Sequence, residues 1–241
     1  MPGIGDPMDG LSEGERALVR GVIAGEPVDL KKQIIRATVL RDLLLEARPG
    51  WVLPPAGVRI SRAVFDGCLD LEGSTIAKPL LVWHSRFQGG GDRGAILARD
   101  ARLKRLGIHS STVEGAIVAD RVQVESGIFL GGGLVKGAIQ VRGADITGAL
   151  GIEGTEFGDG KAAMLAAGLK LSGPLILRRA KAKGAIKLPR ALLEAGIYGE
   201  DATITGESTG ENLGLDAESA RIAGDVLLER AQIAGAVRFA N

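Results

Sequence analysis

The sequence predicts an all-β chain, wound as a right-handed parallel β-helix of 11-residue half-coils with about 22 residues per coil and closed by an N-terminal α-helical cap. Two observations carry the prediction: an 11-residue segment recurs along the chain, and the apolar residues inside it stand two apart. Composition adds a third, because 37 glycines among 241 residues with only 3% aromatics describe a backbone that turns often and regularly.

Residues 1–50 are expected to form the cap, with the first residues disordered, and residues 51–241 the β-helix. Ser12 is placed to cap a helix over 12–24, with Glu13 and Glu15 in its first turn. Asp29 is placed to open a second helix over 29–47, whose apolar stripe is Leu30, Ile34, Val39 and Leu43, and Gly25 and Gly50 end the two. Their expected role is to cover the open edge of the first coil, which would otherwise template aggregation.

The repeat is clearest where ARIAGDVLLER (220–230) is followed without a gap by AQIAGAVRFAN (231–241). The template has a small or apolar residue at position 1, an apolar one at 3, Gly at 5 and apolar ones at 7 and 9. It recurs in AVFDGCLDLEG (63–73), STVEGAIVADR (111–121), GLVKGAIQVRG (133–143) and LKLSGPLILRR (169–179). Spacings of two at positions 1 and 3, and again at 7 and 9, are those of two short strands with one buried face. A helix would need spacings of three and four, and each interior Gly would cost it about 1 kcal/mol against Ala. Position 3 is expected to stack on position 3, making interior columns of residues such as Phe65, Ile76, Phe87, Val113, Val124, Val135 and Ile146. Glycines such as Gly137 and Gly184 fall at the bend between strands, where positive φ or close coil-to-coil approach suits a residue without Cβ.

The paired A-x-I-x-G-x-L-x-L motif, and the segment GVRISRAVFDGCLDLEGSTIAKPLLVWHSRF after helical segments, resemble the pentapeptide-repeat-like bacterial β-solenoids, most nearly the group labelled "membrane-associated oxidoreductase". The resemblance covers about residues 30–241 and implies the fold. It carries no catalytic motif, and no GxGxxG between strand and helix supports the oxidoreductase label. It also implies membrane association through a C-terminal membrane-spanning part that full-length relatives have and this sequence lacks.

Three units depart from the repeat length, around QGGGDR in 85–100, GDGKAA in 155–168 and GESTGEN in 202–219. All are even-numbered units, so at two units per coil they are expected on one side of the rod, where loops commonly carry function. The last repeat ends on Val237 and Phe239 with no helix, Pro or charge to stop the stack, which predicts a truncated piece or self-association through the C-terminal coil.

The reactive groups are sparse. One cysteine, Cys68, and two separated histidines, His84 and His109, do not make a metal site, so neither metal nor cofactor is expected. The Gly-rich run at 88–94 lacks the Lys-Ser/Thr of a phosphate loop. Asp70 and Glu72 stand two apart on a strand, close enough for the carboxylate pair of a glycosidase, with Asp66 one bend away. A single cysteine, no secretory signal and no long apolar run predict a cytoplasmic location. A net charge of +1 provides no global field for polyanions. Locally, residues 170–190 are basic and 194–218 acidic, which predicts ion pairing between adjacent coils or a basic belt led by Arg178, Arg179, Lys181 and Lys183.

The expected function is therefore a non-enzymatic scaffold that presents its loop side to a protein partner and self-associates through Val237 and Phe239. A polysaccharide-acting β-helix enzyme using Asp70 and Glu72 is the alternative. Anionic membrane or nucleic-acid binding through the basic belt is a second one.

Overall fold

The computed structural model describes residues 6–89, 91–206 and 212–239. They form a parallel β-solenoid of about eight coils with about 22 residues per coil. Among the described residues the coils contribute strands to four parallel sheets of nine, nine, eight and seven strands. In order around one coil these are the first sheet (Val58–Ser61), the second (Val64–Asp66), the third (Leu69–Asp70) and the fourth (Thr75–Ile76).

The interior follows from the alternation of the strands. In the second sheet Phe65 stacks on Phe87 with ring centroids 4.7 Å apart, and the column continues through Val113, Val135 and Phe157. Ile76 heads a separate column in the fourth sheet, through Leu103, Val124 and Ile146. Position 3 thus makes two columns rather than one, because successive units lie in different sheets of the same coil. All these residues are buried.

Two kinds of bend turn the chain. Gly137 is needed for close approach, since a Cβ there would stand 2.5 Å from the backbone nitrogen of Ala116 in the previous coil. Gly184 is needed for its φ of +117°. The second kind falls at the last residue of a unit and takes left-handed backbone without requiring glycine: Arg62, His84, Ser110, Arg179, Asp201 and Arg230 follow first-sheet strands, and Asp100, Arg121 and Arg190 follow third-sheet strands. Buried hydroxyls pin the corner after the first sheet. Ser85 Oγ accepts from the Ala63 amide at 3.0 Å, and Ser111 Oγ accepts from the Ser85 amide at 3.0 Å.

The interruptions at 89–95 and 158–161 both leave the second sheet and enter the third, and so does the segment between Thr203–Ile204 and Leu213–Asp216. They therefore share one corner of the rod, as their even unit numbers predict. The GESTGEN insertion itself falls mostly on 207–211, outside the described residues. The third sheet absorbs the last two insertions with register shifts between Ala162 and Met164 and between Leu213 and Leu215.

At the N-terminus α1 spans Glu13–Ile23 with Ser12 as its N-cap. Ser12 Oγ accepts from the Glu15 amide while Glu15 accepts from the Ser12 amide, a reciprocal box that satisfies two free donors of the first turn. The second helix differs from expectation. It begins at Ala37 and runs to Leu44 as α2. Val28–Asp29 and Ile34–Arg36 are strands instead, paired parallel to Val58–Ser61 and Val64–Asp66. Asp29 caps no helix; its carboxylate accepts from the Lys31 amide at 3.1 Å and pairs with Arg62. Lys31 and Lys32 at φ 49° and 68° make a coil corner that no helix could contain, and Ile34 is 64% exposed. Pairing with the first full coil has overridden a helical spacing. α2 then leaves the second sheet at the insertion corner and packs on Leu69–Asp70, standing where a strand of the third sheet would otherwise lie.

The two ends of the stack differ. Leu18, Val22, Leu40 and Leu43 of the helices are buried over the first coil. At the other end Arg221–Ile222, Val226–Leu227, Gln232–Ile233 and Ala236–Arg238 are each the last strand of a sheet, and Val237 and Phe239 are 45% and 50% exposed. No helix among the described residues is long and apolar enough to cross a membrane.

Candidate interaction faces

Side chains that alternate with the interior columns point outward, and in-register coils stack them into outer columns. On the second sheet these columns are charged. Glu114 lies between Arg86 and Lys136, with contacts of 2.5 and 2.6 Å, and Lys183 pairs with Glu156. The fourth sheet follows suit: Lys104 meets Glu125 at 2.5 Å and Arg102 donates to Gln123 at 3.0 Å.

The first sheet is different. One outer column runs Leu81, Gly107, Phe129, Gly151, Ile176, Tyr198, and its neighbour runs Trp83, His109, Gly131. Trp83 stacks on His109 with centroids 6.1 Å apart, and Arg105 lies 4.6 Å from the centre of the Phe129 ring. Glycine leaves room for these rings, since a Cβ on Gly131 would stand 3.1 Å from His109 Nδ1 and one on Gly151 would stand 3.2 Å from Phe129 Cδ1. A notch of about 440 Å³ opens above the two glycines, walled by His109, Phe129, Ile176 and Glu153 and closed at the corner by Arg179. Glu153 and Arg179 are paired at 2.6 Å. Half-burial, then the nearby Arg105 charge, pushes the His109 imidazole below its ordinary pKa of 6.5.

The residues singled out from sequence fall elsewhere. Asp70 sits on the third sheet, and its carboxylate accepts from the Glu72 backbone amide at 3.1 Å. Each carboxylate has an arginine partner, Arg93 at 3.5 Å from Asp70 and Arg99 at 3.8 Å from Glu72. The tryptophans are divided: Trp51 is buried, with Arg48 over its ring, and Trp83 lies on the first sheet. Cys68 is half-buried, and burial, with the Asp70 charge, raises its thiol pKa. Among the basic-belt residues, Arg178 reaches Glu200 at 3.1 Å and lies over the Tyr198 ring, while Arg179 and Lys183 hold Glu153 and Glu156 in the earlier coil. Lys181 stands in register between Glu156 and Thr203. The charge of this coil is therefore largely matched by its neighbours.

The aromatic face was not picked out from sequence, although its signal is there. Trp83, His109, Phe129 and Tyr198 each occupy an outward position of a first-sheet strand, the first three in consecutive coils. Among the described residues no three metal-ligating side chains cluster. Comparison with models of known protein families, with curated proteins and with solved structures gave no match.

Proposed function

We propose that the chain is a non-enzymatic interaction solenoid that pairs with a second copy through its C-terminal coil and presents its sides to other partners. The supporting observation is the asymmetry of the ends. At the N-terminal end α1 and α2 pack on three of the four sheets, whereas among the described residues the last strand of each sheet has a strand on one side only and Val237 and Phe239 are half-exposed. An open parallel edge with apolar side chains favours pairing with another edge. α1 packs on the first strands of the first and second sheets and α2 on that of the third, which disfavours head-to-tail growth. Tail-to-tail contact between two copies then closes with two-fold symmetry.

The short paired strands and the Gly bends support kinship with pentapeptide-repeat-like solenoids, in fold alone. Ion pairing of Arg178, Arg179 and Lys183 within the chain favours the scaffold over a polyanion-binding belt, because paired charges release fewer counterions on contact with phosphates.

Light scattering over a range of concentrations tests the pairing. A reversible dimer of the 25.0 kDa chain is expected, and Val237→Glu with Phe239→Glu should return it to monomer. A wild-type chain that stays monomeric throughout would overturn the reading.

A further inference from the structure

We infer that the notch on the first sheet is a binding site for one pyranose ring of an uncharged glycan. The inference does not depend on tail-to-tail pairing, because the notch lies in the middle coils, far in sequence from Val237.

Four features of the notch select this chemistry. Its volume of about 440 Å³ suits a small ring rather than a deep cofactor. Two of its walls, Phe129 and His109, are rings, and the second is backed by Trp83. Such surfaces receive the C–H face of a sugar, which is flat and apolar. The rim carries the opposite chemistry: the Glu153 carboxylate accepts hydrogen bonds and the Arg179 guanidinium donates them, matching the vicinal hydroxyls of a pyranose. His109 makes no side-chain hydrogen bond among the described residues, so its ring nitrogens are available to one more hydroxyl.

Charge discriminates among ligands. Glu153 and Arg179 are paired at the rim, so a phosphate or a uronate would have to compete with the Glu153 carboxylate for the Arg179 guanidinium, and the other charge nearby, Arg105, is held over the Phe129 ring. An extended peptide is disfavoured as well. The first-sheet strands beneath the notch are hydrogen-bonded on both sides, leaving no edge for strand addition. A lone apolar side chain of a protein partner would leave the ion pair unused.

The glycine floor is a condition of the site. A side chain at Gly151 would enter the space the sugar needs and press on Phe129.

Titration calorimetry of the full chain with neutral cello-, chito-, manno- and xylo-tetraose, and with a charged oligogalacturonate, tests the proposal. At least one neutral tetrasaccharide is expected to bind at micromolar to millimolar concentration. Phe129→Ala and, separately, Glu153→Gln should each weaken it about tenfold or more, the loss of roughly one good contact. Asp70→Asn, on another sheet, should leave it unchanged. Because Phe129 and Glu153 point outward, both variants should retain the wild-type circular dichroism spectrum. Failure of every neutral tetrasaccharide to bind at millimolar concentration would overturn the proposal. So would binding indifferent to both variants, or tighter binding of the oligogalacturonate than of any neutral sugar.

Discussion

The first and second sheets are wound from the same coils and share one interior, yet their outer faces have opposite characters. On the second, each charged column is answered by the next coil, as Arg86, Glu114 and Lys136 illustrate. On the first, Phe129 lies between Gly107 and Gly151, and His109 beside Gly131, leaving a notch that the chain does not fill. A solenoid must satisfy its inner columns to fold, but its outer columns are nearly free variables. Where they are self-matched they make a passive wall. Where they are left unmatched they can bind.

The comparison breaks most severely if the shared interior is opened. Phe87→Ala removes a fully buried ring from the second-sheet column and should cost about 3–5 kcal/mol, read by urea denaturation. Because both faces rest on that core, the loss should impair them together.

The cap comes next. Glu15 is 2% exposed and binds Arg36 through both its oxygens, at 2.7 Å each. Burial alone would raise its pKa. Hydrogen bonds from the Arg36 side chain and from the amides of Ser12 and Arg36 outweigh burial and hold it at about 2. Glu15→Ala should cost roughly 3 kcal/mol, the low end for breaking a buried pair because Arg36 is half-exposed. Since the folded pKa lies below the ordinary 4.5, the stabilisation is full above pH 4.5 and fades as pH falls toward 2. The variant's stability should therefore lose part of its acid dependence in that window. An unchanged pH profile would count against the clasp.

Smaller effects separate the two outer faces. Phe129→Ala should cost only about 1 kcal/mol, since the ring lies on the outer face rather than in the core and its contact with Arg105 is a surface cation–π pair. Glu114→Gln on the second sheet should cost about 0–1 kcal/mol, and that cost should shrink further in high salt. If Glu114→Gln weakened ligand binding as much as Phe129→Ala, the contrast between faces would be lost.

Much of this architecture was legible because it is periodic. The 11-residue unit, the inward columns at Phe65 and Ile76, and the common corner of the insertions all follow from counting. The Ser12 cap was legible because its partner Glu15 is three residues away. Residues 28–36 were not, because Leu30, Ile34, Val39 and Leu43 match a helical stripe, and only pairing with Val58–Asp66 makes strands of the segment. Arg121 and Arg190 at left-handed corners escaped for another reason: such positions favour glycine, and nothing local marks an arginine there. The aromatic face was hidden by distance. Its rings come from different coils, and the insertion at 89–95 moves His109 out of step with Trp83 in any fixed count.

The most direct test of the central claim, that function lies where the solenoid leaves its own surface unmatched, is small-angle X-ray scattering on the associated chain. Tail-to-tail pairing predicts a maximum dimension close to twice that of the Val237→Glu, Phe239→Glu monomer, whose stacked coils span roughly 40 Å at the usual strand spacing. An associated species of nearly the monomer's length would mean pairing side by side, and would contradict the account.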